Sequence, residues 1–165
     1  QDMSIFRLAQ SRNKGLVILV NKWDLVSKST NTARDVEKEI RERLAPFDDV
    51  PVVFISALEK QRIFKAIEVA LEVHENRTRK IKTSLLNEVM LEAIEKVPPP
   101  AHRGRFIKIK DVSQLPLYYP AFAFFCNNPK HIKESYKNYL ENQLRSNFDF
   151  TGVPISIFFR NKNKN

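Results

Sequence analysis

Two short stretches carry residue types that could recognise a planar, hydrogen-bonding ligand: Asn21-Lys22-Trp23-Asp24 and Ser56-Ala57-Leu58. A carboxylate such as Asp24 can accept two neighbouring N–H bonds. Guanine offers that pair through N1–H and its exocyclic amine, and adenine does not. Backbone N–H groups of Ser56, Ala57 and Leu58 could donate to the guanine O6 oxygen. Each stretch directly follows an apolar run, Leu16 to Val20 and Val52 to Ile55. Parallel strands of α/β folds deliver their C-terminal loops to the crevice where ligands bind. One helix and one strand fill the interval from Asp24 to Ser56, which sets the two loops side by side. Strand-end capping by Asn and Asp accounts for N-K-x-D alone; the paired loops point to guanine.

The elements that must position these loops alternate. Leu16 to Val20 reads as a parallel strand buried on both faces. Thr32 to Phe47 follows as a helix with Val36, Ile40, Leu44 and Phe47 on one face and Asn31 or Thr32 as N-cap. Val52 to Ile55 is a second buried strand, and Ile63, Ile67, Ala70, Leu71 and His74 mark a second amphipathic helix. This β-α-β-α order predicts part of an α/β parallel sheet with right-handed crossovers over residues 1–75.

Beyond this point the order changes. Leu86, Val89, Met90, Ala93 and Val97 form a helical stripe ending at Pro98-Pro99-Pro100, and Phe106 to Val112 alternates as a strand. Ala121 to Cys126 is a more apolar strand. Asn128-Pro129 then opens a helix bearing Ile132, Tyr136, Leu140, Leu144 and Phe148. Gly152 follows it, and Pro154 to Arg160 closes as a strand. The α-β-β-α-β order predicts an α+β domain with a three-stranded sheet over residues 76–165.

Charge divides the same way. Residues 1–75 hold 12 Lys and Arg against 12 Asp and Glu, whereas residues 76–165 hold 16 against 7, so the whole net charge of +9 lies in the second part. The seam falls in Arg77-Thr78-Arg79-Lys80-Ile81-Lys82. A basic surface suits polyanions, and Arg77, Arg79, Lys80, Lys82, Arg103, Arg105, Lys108 and Lys110 are the candidate RNA contacts.

Composition excludes other chemistry. The three glycines, Gly15, Gly104 and Gly152, are too dispersed for a phosphate-cradling loop, a dinucleotide turn or a G-x-x-G clamp. His74, His102 and His131 lack metal-ligand spacing, and the single cysteine, Cys126, sits in an apolar strand as a small core residue. Tyr118, Tyr119, Tyr136 and Tyr139 could stack bases, but two belong to a core-facing stripe. No apolar run approaches the roughly 20 residues of a spanning helix, so no membrane partner is expected, and a single cysteine, with no internal disulfide to form, fits a reducing cytoplasm. The Asn/Lys tail 161–165 is expected to fray.

The two loops resemble the base-specificity boxes of translation-factor-class GTPases, with Asn21, Lys22 and Asp24 in one and Ser56-Ala57-Leu58 in the other. Pro98 to Arg105, Ser113-Gln114, Phe122 to Asn127, Tyr139-Leu140-Glu141-Asn142 with Leu144-Arg145, and Gly152-Val153-Pro154-Ile155 resemble the C-terminal KH-like domain of the Der (EngA) family, bacterial GTPases with two tandem G domains. Asp111 departs from the pattern, which has an aromatic residue there. The resemblance places residues 1–75 as the C-terminal half of a second G domain, of the P-loop GTPase type. It implies GTP or GDP as ligand and a role in ribosome biogenesis through the large ribosomal subunit or its RNA. The phosphate loop, switches, magnesium ligands and first G domain would lie upstream of Gln1, making those G domains partners. This chain alone is therefore expected to hydrolyse no GTP. The alternative is a KH-like protein-interaction module that senses the nucleotide state of adjacent G domains without binding RNA. The missing G-x-x-G favours it; the basic charge favours RNA.

Overall fold

The computed structural model describes residues 1–27, 29 and 31–161, so positions 162–165 of the Asn/Lys tail lie outside the described residues. The chain divides into two units, Gln1–Arg77 with Thr151–Pro154, and Thr78–Phe150 with Ile155–Asn165. A single cut after residue 75 would miss that Thr151–Pro154 packs with the first unit.

The first unit opens with α1 (Asp2–Ser11), an element the sequence pattern does not announce. Its one buried residue, Phe6, stacks on Phe47 at 6.0 Å and joins Leu44 and Val50 in a small core. With one anchor per ten residues, its pattern is too sparse for a periodicity argument. β1 (Ile18–Val20) pairs in parallel with β2 (Val52–Phe54), Ile18 opposite Val52 and Val20 opposite Phe54. Burial on both faces does not hold for β1. Leu19 is 48% exposed, because this two-stranded sheet lacks a covering layer there among the described residues.

Between the strands runs α2 (Thr32–Leu44), shorter than the expected Thr32 to Phe47. Pro46 bars continuation by disfavouring helical backbone at Ala45 and removing an N–H donor. Phe47 remains buried beyond the helix end. Asn31 sits at the N-cap position without a side-chain capping bond. Arg41 pairs with Glu37 at 2.6 Å and donates to the Asp48 carbonyl at 2.6 Å, tying the turn that leads into β2.

α3 (Ile63–Thr78) turns a different face inward from the one predicted. Val69, Val73 and Asn76 are buried, whereas Phe64, Ile67 and Leu71 are exposed. Both faces are apolar, so periodicity alone could not choose between them. Backbone proximity does: a Cβ at Gly15 would stand 2.7 Å from Val73 Cγ1, and one at Gly152 would stand 2.6 Å from Val73 Cγ2. Val73 thus fills a slot between two glycines. The same region is held by Leu16 N–H donating to the Gly152 carbonyl at 2.7 Å, Gly152 N–H to the Asp49 carbonyl at 2.7 Å, and the Asn76 amide to the Thr151 carbonyl at 3.1 Å.

The second unit contains α4 (Thr83–Lys96), β3 (Ile109–Gln114), β4 (Ala121–Cys126), α5 (Glu134–Asn147) and β5 (Ser156–Asn161), the α-β-β-α-β order read from the sequence. Its three-stranded sheet has the order β3-β4-β5, antiparallel and then parallel. Leu86, Met90 and Ile94 of α4 and Tyr136, Leu140 and Leu144 of α5 join Val112, Phe122 and Phe124 in one core. Polar groups entering that core are bonded, as buried polar atoms must be. Tyr136 and Tyr139 donate their hydroxyls to the carbonyls of Val97 (2.7 Å) and Ala93 (2.8 Å). Asn87 brackets Val112, accepting its N–H at 2.9 Å and donating to its carbonyl at 2.7 Å. Cys126 is buried, and desolvation pushes its thiol pKa up.

Two boundaries shift from expectation. Asn128-Pro129 opens a short 3-10 turn, Pro129–His131, and α5 begins only at Glu134. The alternating stretch begins hydrogen-bonded pairing at Ile109 with an irregularity before Asp111, which leaves Phe106 exposed.

Candidate nucleotide and RNA sites

The Asn21 side chain links the two loops expected to meet guanine. Its Oδ1 accepts the backbone N–H of Lys22 at 2.8 Å and that of Ala57 at 3.1 Å. Backbone bonds flank the link: Ile55 N–H donates to the Val20 carbonyl at 2.9 Å and Trp23 N–H to the Ile55 carbonyl at 3.0 Å. Lys22 adopts a left-handed conformation, φ 59 and ψ 32, which turns the chain into a 3-10 segment, Trp23–Leu25. Trp23 anchors that segment, buried against Phe54 with ring centroids 4.4 Å apart. Asp24, next to this anchor, is half-buried, and its carboxylate has no hydrogen bond or ion pair among the described residues.

The second loop is closed by reciprocal backbone bonds between Ser56 and Gln61, N–H to carbonyl at 3.3 and 2.9 Å. Ser56 is fully buried, and its hydroxyl accepts the Glu59 N–H at 3.1 Å, which shapes the turn. Of the three N–H groups considered for guanine O6, Ser56 is spent on Gln61 and Ala57 on Asn21. The Leu58 N–H has no partner among the described residues, and its side chain is 82% exposed. The two loops thus present an unpartnered carboxylate on one and an open N–H on the other, coupled through Asn21. Sequence reasoning misses Trp23 and Gln61 as loop-setting residues. Trp23 sits at the variable position of N-K-x-D, and Gln61 is signalled by no motif.

The eight basic candidates fall into different environments. Arg77 donates Nε to the Asn13 carbonyl at 3.0 Å and Arg79 donates Nε to the Asp149 carbonyl at 3.1 Å, so both hold backbone. Lys80 reaches the Leu117 carbonyl at 3.2 Å, and Lys82 is exposed at the start of α4. Lys108 and Lys110 are exposed on or before β3, an edge strand of its sheet. Arg103 and Arg105 flank Gly104 in a tight exposed hairpin, in which His102 and Arg105 exchange two backbone bonds of 3.0 Å. That hairpin carries His102 onto His131, rings stacked at 3.9 Å and 12°. Their spacing in the sequence gives no hint of this pairing.

Residues 80–160 match the family model described as the KH-domain-like domain of EngA bacterial GTPase enzymes, C-terminal. A protein named GTPase Der from Christiangramia forsetii is 59% identical over 98% of this chain, and its counterpart from Flavobacterium johnsoniae is 56% identical over the same share. The GTPase Der of Porphyromonas gingivalis is 53% identical, again over 98%. The chain belongs to the Der/EngA family. It spans 37% of the length of each of these relatives. The family match begins inside the basic run at Arg77 to Lys82, close to the division between units at Arg77 and Thr78.

Proposed function

We propose that this chain supplies the guanine-recognition loops of a GTPase nucleotide site and a KH-like domain that docks on RNA of the large ribosomal subunit. The observation that carries the nucleotide part is the Asn21 bridge, which couples the Asp24 loop to the Ser56-Ala57-Leu58 loop through two backbone N–H groups. In this reading Asp24 accepts the base N1–H and exocyclic amine, and the Leu58 N–H, joined by Ala57 once Asn21 yields it, meets O6. Lys22 is exposed in its left-handed turn beside Asp24. GTP or GDP is the ligand of the whole protein, with magnesium held by residues outside this chain. The upstream G domains are partners in completing the site, and the setting is the cytoplasm.

The RNA part rests on charge: the +9 of the chain resides wholly in residues 76–165. Exposed Lys82, Arg103, Arg105, Lys108 and Lys110 are placed for phosphate contact, while Arg77 and Arg79 also brace carbonyls. Binding is then electrostatic and nearly sequence-independent.

An NMR titration of the full chain with guanosine and adenosine monophosphates tests the nucleotide part. Amides of Asn21, Lys22, Asp24 and Ser56 to Leu58 shift with the guanine nucleotide at millimolar concentration and stay in place with the adenine one. Equal or absent responses refute it. Titration with ribosomal RNA fragments tests the docking part. If no binding occurs at low salt, the interaction-module alternative takes its place.

A further inference from the structure

Outside the guanine loops, one cluster in the second unit gathers side chains able to hold a ligand. His102, Arg103, Arg105, Asn128 and His131 line an open cavity of about 290 Å³. We propose that this cavity is a phosphoryl-anion site that takes a phosphodiester of single-stranded RNA and holds it more tightly as pH falls. The proposal rests on the RNA reading above and names its contact point.

Three features of the cluster converge. First, the lining offers guanidinium and imidazole donors and no carboxylate. Arg103 and Arg105 make no ion pair or side-chain hydrogen bond among the described residues, so their donors are uncommitted. Planar guanidinium groups match phosphate oxygens in pairs. Second, the hairpin is built to present them. Arg103 sits at φ 48 and Gly104 at φ +75, the left-handed pair of a two-residue turn whose first position ordinarily favours Asn, Asp or Gly. Space around Gly104 is open to 4 Å, so a ligand can approach the tip. Third, the two imidazoles are stacked nearly parallel at 3.9 Å. Two imidazolium ions in that arrangement repel each other, whereas one imidazolium against a neutral ring is tolerated. An anion above the pair favours the charged form.

The surrounding charges set the direction of the pH effect. Desolvation first, and then His102, Arg103 and Lys130, hold the His131 pKa below the ordinary histidine value. From the other elements near the 129–131 turn, β5 brings Arg160, and Asp111 of β3 lines a neighbouring cavity together with Lys130 and Arg160. Lys133 precedes α5, and Glu134 is paired with Lys137 at 3.6 Å. The charged form of the free His131 ring is therefore disfavoured, and a bound phosphate raises its proton affinity. By linkage, binding takes up a proton and strengthens on acidification. The charge of a phosphodiester stays constant through this range, so the change belongs to the protein.

The test uses the full chain, a twelve-residue oligouridylate and inorganic phosphate, with imidazole resonances and RNA affinity as readouts. The RNA should shift both the His102 and His131 signals. Its affinity should rise roughly tenfold from pH 8 to pH 5.5, the size of effect expected when a neutral donor becomes a charged one against phosphate. His131→Ala should flatten that pH profile, and Arg103→Ala with Arg105→Ala should weaken binding at both pH values. RNA binding with unmoved histidine signals, or an unchanged pH profile in His131→Ala, overturns the site without touching the wider RNA reading. If inorganic phosphate shifts the histidines while RNA fails to bind, the anion site stands and its assignment to RNA falls. If neither probe moves them, the site itself is refuted.

Discussion

Val73 lies between two glycines, and removing that slot should damage the first unit in two distinguishable ways. A Cβ at Gly15 meets mainly Val73 Cγ1 at 2.7 Å, and Gly15 has no left-handed backbone. Gly15→Ala should cost about 1–3 kcal/mol as overpacking, offset by about 0.4–1 kcal/mol from the stiffer unfolded chain. Val73→Ala deletes two buried methyl groups at ~0.8 kcal/mol each and leaves a cavity, about 2–3 kcal/mol together. In the double variant the clash is gone, so the sum of single effects should exceed the measured loss by about 1–2 kcal/mol. Gly152→Ala behaves differently. Its φ is +80 and its Cβ would also sit 2.9 Å from the Leu16 carbonyl, so Val73→Ala can relieve only part of the damage. The strained backbone should retain at least ~1 kcal/mol of cost. Urea unfolding followed by tryptophan fluorescence reads this directly, because the only tryptophan, Trp23, lies in the first unit. Additive effects for Gly15 and Val73 within ~0.5 kcal/mol, or complete rescue of Gly152→Ala by Val73→Ala, would refute the packing argument.

Further outcomes follow from the same structure. Asn21→Ala should unlatch the loops at a cost of about 1–2 kcal/mol for two exposed bonds, with faster amide exchange at Lys22 and Ala57 than in the parent chain. RNA affinity should fall with salt at a log–log slope near −3, about 0.7 per phosphate neutralised, and Arg103→Glu with Arg105→Glu should flatten it by about 1.4. A salt-independent affinity would contradict this. The full chain should release no phosphate from GTP above background, since its three dispersed glycines cannot form a phosphate cradle. In the second unit, burial raises the pKa of Cys126 from its ordinary 9.0, and burial followed by the nearby Tyr139 raises that of Tyr136. The unfolded chain ionises these groups first, so their contribution is intact below about pH 9 and drains as pH rises. Urea midpoints of the second unit, followed by circular dichroism, should decline above that pH and hold between pH 7 and 8.

The fold was legible where pattern and packing had a single answer. The α-β-β-α-β order of the second unit followed from stripes such as Leu86, Met90 and Ala93 and from the apolar run Ala121 to Cys126, most of which pack into one core. It was illegible where two answers fit. The apolar residues of α3 cover both faces, and only the approach of Gly15 and Gly152 to Val73 decides which turns inward. α1 carries one buried residue, too few to announce a helix. In the two loops after β1 and β2, residue type marked Asn21 and Asp24 as candidates without showing that Asn21 ties the loops together. It could not say that Ala57 N–H would be taken by Asn21, leaving Leu58 as the open donor. The His102–His131 stack was invisible for the same reason, since 28 intervening positions and a two-residue turn bring the rings together.

The claim that Asp24 reads a guanine base has a direct test in Asp24→Asn. An amide cannot accept from both N–H donors of guanine but can pair with xanthine, whose exocyclic amine is replaced by a carbonyl. In NMR titrations of the full chain, the variant should lose the response of Asn21, Lys22 and Ser56 to Leu58 to guanosine monophosphate and acquire it with xanthosine monophosphate. A variant that still responds to the guanine nucleotide as the parent chain does, or a parent chain that responds to both bases alike, would contradict the assignment.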